Sequence, residues 1–417
     1  MPLRFARIED QNRIEDMLAY CFPDMRPHIE QRRAEQAAGR MPAETTESLR
    51  RKEEQLACVL LKEEADGRIG QHVQIVPLTI HLDGTRQKMA GIGAVASLPE
   101  YRYGGGVMEL LRWSLQIMRE RGFVFSELAP FSFAFYRKCG WEWGFRWHEL
   151  EIPMKELERF KADTGAFTAL TARDRKRALA VRNAHASRFN GGEYDAATEE
   201  NDEAGTGEGR DEEQDAFPRK GRLCYGVEGA DGALDGYADF EIRDGALRCR
   251  DFFYRSHQAK RQLLHFFYRH NSQAQRVVLT VPESDTLPHL LSDQYLDVKA
   301  RAGMMVRIVD VAAAVACVAA PVEDVAPLVL QVTDEAAPWN QGNWQLSSSG
   351  DRLHAERVEN REPDCVISIQ RLSQLVYGFL SGQDVIDGGM SEWRNEAAQN
   401  AFSRMFRRRP TAQWESF

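Results

Sequence analysis

A chain of 417 residues is longer than one core usually organises, so two or three domains are expected. Hydrophobic content of 43% with 10% aromatics fills real cores, and 28% charged residues coats a globular surface, which excludes a disordered chain. A net charge of -9 argues against a nucleic-acid binder, which needs clustered Lys and Arg, and favours a cationic partner.

The opening MPLRFARIEDQNRI is charged almost from its start and lacks the apolar centre of a signal peptide. No apolar run reaches the roughly 18 residues of a membrane helix, so a cytoplasmic protein without membrane contact is expected. The seven cysteines lie far apart with no C-x-x-C pair, which points away from a zinc site and from a disulfide framework.

In chain order, apolar and polar residues alternate from Val73 to Leu82, Asp83-Gly84 supplies a turn, and Lys88 to Ser97 reads as the returning strand of a hairpin. Val107, Leu110, Leu111, Leu115 and Met118 then follow helical spacing up to a capping Gly122. Phe123 to Ala129 reads as a strand, and FSFAFYRKCGWEWGF as a short helix, a turn at Gly140 and another strand. This first domain spans residues 1–153.

A second domain, 154–305, contains an acidic, glycine-bearing segment at about 194–215 that reads as a surface loop. Its strands Arg222 to Glu228, Tyr237 to Ile242 and Leu247 to Tyr254, the helix AKRQLLHFFYRH and the strand RVVLTV repeat the order of the first domain, which suggests an internal duplication. The remainder, 306–417, combines a helix-like IVDVAAAVACVA, strands near LVLQVTD, NWQLSSS and CVISI, and two amphipathic stretches. The fold class is therefore α+β, with mixed sheets.

The chemistry concentrates in GIGAVASLPEYRYGGGVMELL, where a strand ending at Ser97 leads through glycines into a helix. A helix N-terminus carries unpartnered N–H groups, and glycines let a diphosphate approach them, so this is an anion cradle; a merely flexible turn is the bland alternative. The glycines lack the Lys-Ser/Thr of a nucleoside-triphosphate loop, and Gly91-Ile92-Gly93-Ala94-Val95-Ala96 lies inside a strand, where a dinucleotide fingerprint does not work. His265 and His270, five apart, do not share a helix face, so no metal site is expected.

Arg102-x-x-Gly105 between strand and helix resembles the acetyl-CoA signature of GNAT-type N-acetyltransferases, although Val107 stands where that signature has Gly or Ala. VASLPEYRYGGGVMELL followed by FYRKCGW resembles one branch, the enhanced-intracellular-survival (Eis) acetyltransferases, in which an aliphatic residue at that position is usual. The resemblance implies tandem GNAT domains, the second degenerate, followed by a sterol-carrier-protein-like domain. The second domain offers RSHQAKRQ after its strand, with no glycine, so a single cofactor site is implied.

By that resemblance, acetyl-CoA is the cosubstrate: Val95, Ala96 and Ser97 lie along the pantetheine arm, and Arg102 with Tyr103, Gly104, Gly105, Gly106, Val107 and Met108 holds the diphosphate. Phe131 and Ser132 occupy further cofactor-contacting positions. Tyr136 matches the tyrosine that protonates the leaving sulfur, and a phenol of pKa about 10 suits that task. The terminal carboxylate, carried here by Phe417 in TAQWESF, is implied as the base, although its ordinary pKa near 3.5 makes orienting a cation its larger contribution.

Polycationic acceptors such as aminoglycosides, polyamines or lysine side chains, direct attack in a ternary complex, and a hexamer are implied in the same way. Asp24, Glu127, Trp141 and Trp143 are candidates for lining an amine pocket. The basic run of Arg404 and Arg407 to Arg409 reads as a solvated helix face rather than a binding patch. Two other classes stay open: a non-catalytic acyl-CoA sensor, and a lipid-binding protein built around the last domain.

Overall fold

The computed structural model describes residues 2–40, 45–195, 217–292 and 296–414. The first part runs β1 (Leu3–Phe5), α1 (Gln11–Cys21), α2 (Arg26–Ala37), α3 (Thr46–Leu56), β2 (Val59–Glu63), β3 (Ile69–Leu82), β4 (Thr85–Ser97), α4 (Gly106–Glu120), β5 (Phe125–Leu128), α5 (Phe133–Arg137) and β6 (Glu142–Trp143). There follow β7 (Arg146–Pro153), β8 (Phe167–Ala169), α6 (Arg175–Ala186), β9 (Leu223–Glu228), β10 (Leu234–Arg243), β11 (Ala246–Tyr254), α7 (His257–Tyr268), β12 (Arg276–Pro282), β13 (Asp297–Ala302) and β14 (Met305–Ile308). The last part holds α8 (Val311–Val315), β15 (Leu328–Thr333), β16 (Gly342–Ser349), β17 (Arg352–Arg357), β18 (Cys365–Ser368), α9 (Ile369–Tyr377), α10 (Gly382–Asp387), β19 (Glu392–Trp393) and α11 (Ala398–Met405).

Three mixed sheets result, in the orders β1-β2-β3-β4-β5-β14-β6, β13-β7-β12-β11-β10-β9-β8 and β17-β16-β15-β18-β19. The expected hairpin is present as β3 and β4, joined by Asp83 and Gly84, both with positive φ as a tight hairpin turn requires. The apolar stripe of α4 places Leu110, Leu111, Leu115 and Met118 in a core with Val73 and Ile75 of β3 and Ile92 of β4. In the second sheet β10, β11, α7 and β12 repeat the order of β3, β4, α4 and β5. Most of the acidic segment expected at 194–215 lies outside the described residues.

Sheet membership crosses the domain limits expected at 153 and 305. β7 leaves the first part and pairs with β12 and β13 in the second sheet, while β14 returns to the first sheet between β5 and β6. The two halves thus exchange a closing strand. Gly144 marks the crossover: a Cβ there would meet Val306 Cγ1 at 2.4 Å. Hydrophobic periodicity reports which residues are in a strand but not which distant strand they join.

The three parts meet at the hairpin tip. Asp83 N donates to Asn190 Oδ1 at 2.8 Å, Asp83 Oδ2 accepts from Ala319 N at 2.9 Å, and Asp83 Oδ1 accepts from Arg409 Nε at 3.0 Å. Arg409 is therefore a joint residue rather than part of a purely solvated face. Among the described residues, no helix is long and apolar enough to cross a membrane.

Candidate active site

After β4 the chain makes a short turn at Pro99–Tyr101 and Arg102 folds back, its Nε donating to Ser97 O at 3.1 Å. Tyr103 (φ 65) and Gly105 (φ 79) take left-handed backbone, and the Tyr103 side chain is fully exposed. Gly105 is the N-cap of α4 and supplies no side-chain acceptor, so the first N–H groups of a 15-residue helix lack a side-chain partner at their positive dipole end. Gly106 is tightly placed: a Cβ would stand 2.7 Å from Gln71 Oε1 and 3.0 Å from Lys62 Cδ. The glycine run is thus fixed by packing as well as by backbone conformation, and it presents an uncapped anion-binding end.

The corresponding point of the second sheet differs. Ser256 caps α7, its side chain accepting from Ala259 N at 3.1 Å, so that helix start is already occupied.

β4 and β5 pair in parallel from Met89↔Phe125 to Ile92↔Leu128 and then part. The register of β4 against β3 slips between His72 and Gln74, and Ala94 takes φ 48, so a bulge bends β4 where the gap opens. His72 Nδ1 lies 2.7 Å from Ala94 O, and burial pushes its imidazole down to about 4, so the ring fixing the bulge is neutral. Val95, Ala96 and Ser97 follow the bulge on the open side; the Ser97 carbonyl is already engaged by Arg102.

Across the gap, Ser132 caps α5, accepting from Phe135 N at 3.3 Å. Phe131 is exposed, and its ring lies 5.3 Å from that of Tyr136, which is only 2% exposed. The Tyr136 hydroxyl makes no hydrogen bond among the described residues, and burial raises its pKa, so it stays protonated throughout the neutral range. Arg137 clamps α5 to β6 through Glu142 at 2.7 Å.

Of the pocket candidates, Trp141 is core, its Nε1 donating to Ser126 Oγ at 3.3 Å, and Trp143 packs its ring on Phe379 at 5.4 Å. Trp141 is therefore closed to any pocket, while Trp143 is half-buried, its ring packed between Phe379 and the Arg146 guanidinium. Asp24 is exposed. Glu127 is fully buried, its Oε1 accepting from Tyr377 Oη at 3.0 Å; burial first, then Glu193, push its carboxyl well above the carboxylate range. Sequence reasoning missed Tyr377 and Glu193, which come from segments far along the chain with no local motif.

The C-terminal tail crosses the second part: Asn190 N donates to Pro410 O at 2.9 Å and Ala412 N to Asn190 O at 3.2 Å. Trp414 packs on Trp147, His185, Phe189 and Phe253 at 5.4–5.6 Å, and its N donates to both Glu193 oxygens at 2.9 and 3.1 Å. Phe417 lies outside the described residues.

A glycine-opened helix start can take a diphosphate, and the bulged strand that parts from its parallel neighbour leaves an edge to which an extended arm can add. Residues 2–144 match an acetyltransferase (GNAT) domain, residues 205–308 a second acetyltransferase (GNAT) domain, and residues 311–413 a sterol carrier protein domain. The chain belongs to the GNAT N-acetyltransferases, which use an acyl-CoA cosubstrate. No curated protein matches it.

Solved structures match over the full length. A probable N-acyltransferase from Enterococcus faecalis V583 aligns at TM-score 0.79 and 21% identity, covering 100% of this chain and 99% of that one. A GCN5-related N-acetyltransferase from Anabaena variabilis aligns at 0.79 and 20%, and Eis1 from Mycobacterium abscessus at 0.74 and 19%, each covering 100% of both chains. Tandem GNAT domains followed by a sterol carrier domain make this chain Eis-type in architecture.

Proposed function

We propose that this chain transfers an acetyl group from acetyl-CoA to primary amines of cationic acceptors, of aminoglycoside, polyamine or lysine type, by direct attack in a ternary complex. The observation that carries this reading is the buried Tyr136, with an unengaged hydroxyl, on the far side of the β4–β5 gap from the uncapped start of α4. The thioester supplies the activated acyl group. Residues 103 to 108 hold the diphosphate, Val95 to Ser97 offer main chain to the pantetheine, and Phe131 and Ser132 complete the cofactor contacts. Tyr136 gives its phenolic proton to the departing sulfur.

The acceptor must present a neutral amine. In this reading Phe417 supplies a terminal carboxylate that orients the ammonium and receives its proton; the anchoring of Trp414, three residues earlier, supports it. The functional units are 1–153, 154–305 and 306–417, with the exchanged strands crossing between them. The reading extends to a hexamer working in the cytoplasm.

Coenzyme A release from acetyl-CoA with a panel of polyamines and aminoglycosides tests this, comparing the intact chain with one lacking Phe417. Release by the intact chain that falls at least ten-fold without Phe417 is expected; undiminished release removes that residue's role. Gly106→Ala tests the cradle: the new methyl presses on Gln71 and Lys62, so acetyl-CoA binding by calorimetry should weaken about ten-fold, roughly 1.4 kcal/mol. Unchanged affinity would place the diphosphate elsewhere.

A further inference from the structure

Among the described residues only half of the Glu127 carboxylate is satisfied: Oε1 accepts from Tyr377 at 3.0 Å, while Oε2 is buried and finds no hydrogen-bond partner there. A buried carboxylate oxygen without a donor destabilises a fold, and more so when the group is charged. Leucine at the same place would carry no such cost, so the position calls for a donor that the described residues do not provide.

Its place in the fold says where that donor comes from. Glu127 is one residue short of Ile92↔Leu128, the last pair before β4 and β5 part. Its neighbours on β5, Ser126 and Leu128, face Trp141 and the α4 side, whereas Glu127 shares the opposite face with Phe125. Its partner across β4 is Gly91, which puts no side chain beside the carboxylate. On that same face Ile80 bridges to Glu193, a second carboxylate, itself 5% exposed and electrostatically coupled to Glu127. Two carboxylates in a buried setting favour a cationic donor over a neutral one.

We propose that Glu127 is an acceptor-binding residue: its Oε2 receives an N–H of an ammonium group of the acceptor at the apex of the β4–β5 gap, while Tyr377 holds Oε1 in place. The inference rests on the acetyl-transfer reading above and adds to it. The sterol carrier domain, through Tyr377 on α9, completes an acceptor site built on the first sheet. Acceptors with two or more amines are preferred, since one nitrogen is held charged on Glu127 while another attacks neutral.

The test is calorimetric binding of spermidine and of an aminoglycoside to the full chain saturated with coenzyme A, for wild type, Glu127→Gln and Tyr377→Phe, together with thermal midpoints. Glu127→Gln is expected to bind both amines at least ten-fold more weakly, to bind coenzyme A as wild type does, and to melt higher. A purely structural glutamate would give the reverse pattern, a lower midpoint with unchanged amine affinity, and that result overturns the proposal. Tyr377→Phe keeps the ring and removes one hydroxyl; it should weaken amine binding three- to ten-fold, and unchanged binding there counts against the proposal even if Glu127→Gln does not fold.

The midpoint has a pH signature. Among the described residues the titratable groups that act on Glu127 are Glu193 and Tyr377, and burial first, then Glu193, raises its folded pKa against the Tyr377 hydrogen bond. Wild type therefore loses stability as pH rises above the ordinary carboxylate value of about 4.3, and the advantage of Glu127→Gln should grow between pH 5 and 8. Wild type that turns over uncharged amines but binds no polyamine would sink the Glu127 assignment while leaving the transferase reading intact. Failure to bind coenzyme A at all would sink the transferase reading first.

Discussion

Replacing Tyr136 by Phe is expected to lower kcat by about two orders of magnitude, within the ~10²–10⁴ range that a positioned general acid contributes, while acetyl-CoA affinity stays within about two-fold. The separation follows from the surroundings of the ring. Tyr136 is 2% exposed and packs against Phe131 and Phe135, contacts that phenylalanine keeps. Its hydroxyl makes no hydrogen bond among the described residues, so removing it leaves no orphaned partner there. Burial raises the phenol's pKa above its usual value near 10, so the donor is present throughout the neutral range and its loss is not mimicked by pH. Coenzyme A release at saturating acetyl-CoA gives kcat, and calorimetry gives the cofactor affinity. Equal falls in both would make Tyr136 a packing residue, and an unchanged kcat would assign the proton to another donor.

The largest stability effect is expected for Asp334→Ala. Arg307 on β14 is fully buried, and its Nη2 meets Asp334 Oδ2 at 2.6 Å, with Asp334 1% exposed on its side chain. Asp334 also accepts from Ala337 N and from Asn340 Nδ2, each at 3.1 Å, while Arg307 Nη1 donates to the Cys139 carbonyl and the guanidinium lies over the Trp141 ring. Gly140 makes room for it, since a Cβ there would collide with Arg307 Nη1. Removing the carboxylate strands a guanidinium in a dry interior, which costs on the order of 3–5 kcal/mol.

The double replacement Arg307→Met with Asp334→Leu should recover only part of that loss: it removes the stranded charge, but Ala337 N and the Cys139 carbonyl lose their partners. Denaturant unfolding of both variants checks it. A loss below about 1 kcal/mol for Asp334→Ala would mean that water reaches Arg307 once the carboxylate is gone. The pair also bears on activity, because Arg307 sits on the strand beside β5 and Asp334 belongs to the last part. A cofactor affinity that survives while amine turnover falls would locate the damage in the acceptor side of the site.

Much of the site was legible locally. The alternation of β3 and β4, the Asp83-Gly84 turn, the helical stripe of α4 and the glycines before it each obey a rule that acts within a few residues. Those rules place an anion cradle at the end of a strand, and Tyr136 a short helix beyond the next one. They do not say that Gly106 is pinned by Gln71 and Lys62, or that Ala94 bulges, because these depend on what the neighbouring strand brings.

What the sequence determined by itself is therefore the kind of each element, the glycine-opened passage from β4 into α4 and the repeated order of the first two parts, all products of local backbone preference and side-chain periodicity. The tertiary structure alone decided the exchange of β7 and β14, the burial of Trp141, the three-way joint at Asp83, and the meeting of Glu127 with Tyr377, 250 positions apart. Such contacts join surfaces that become neighbours only after the sheets have formed. Their partners are chosen by shape and charge across the assembled cores, and no short stretch of the chain carries that information.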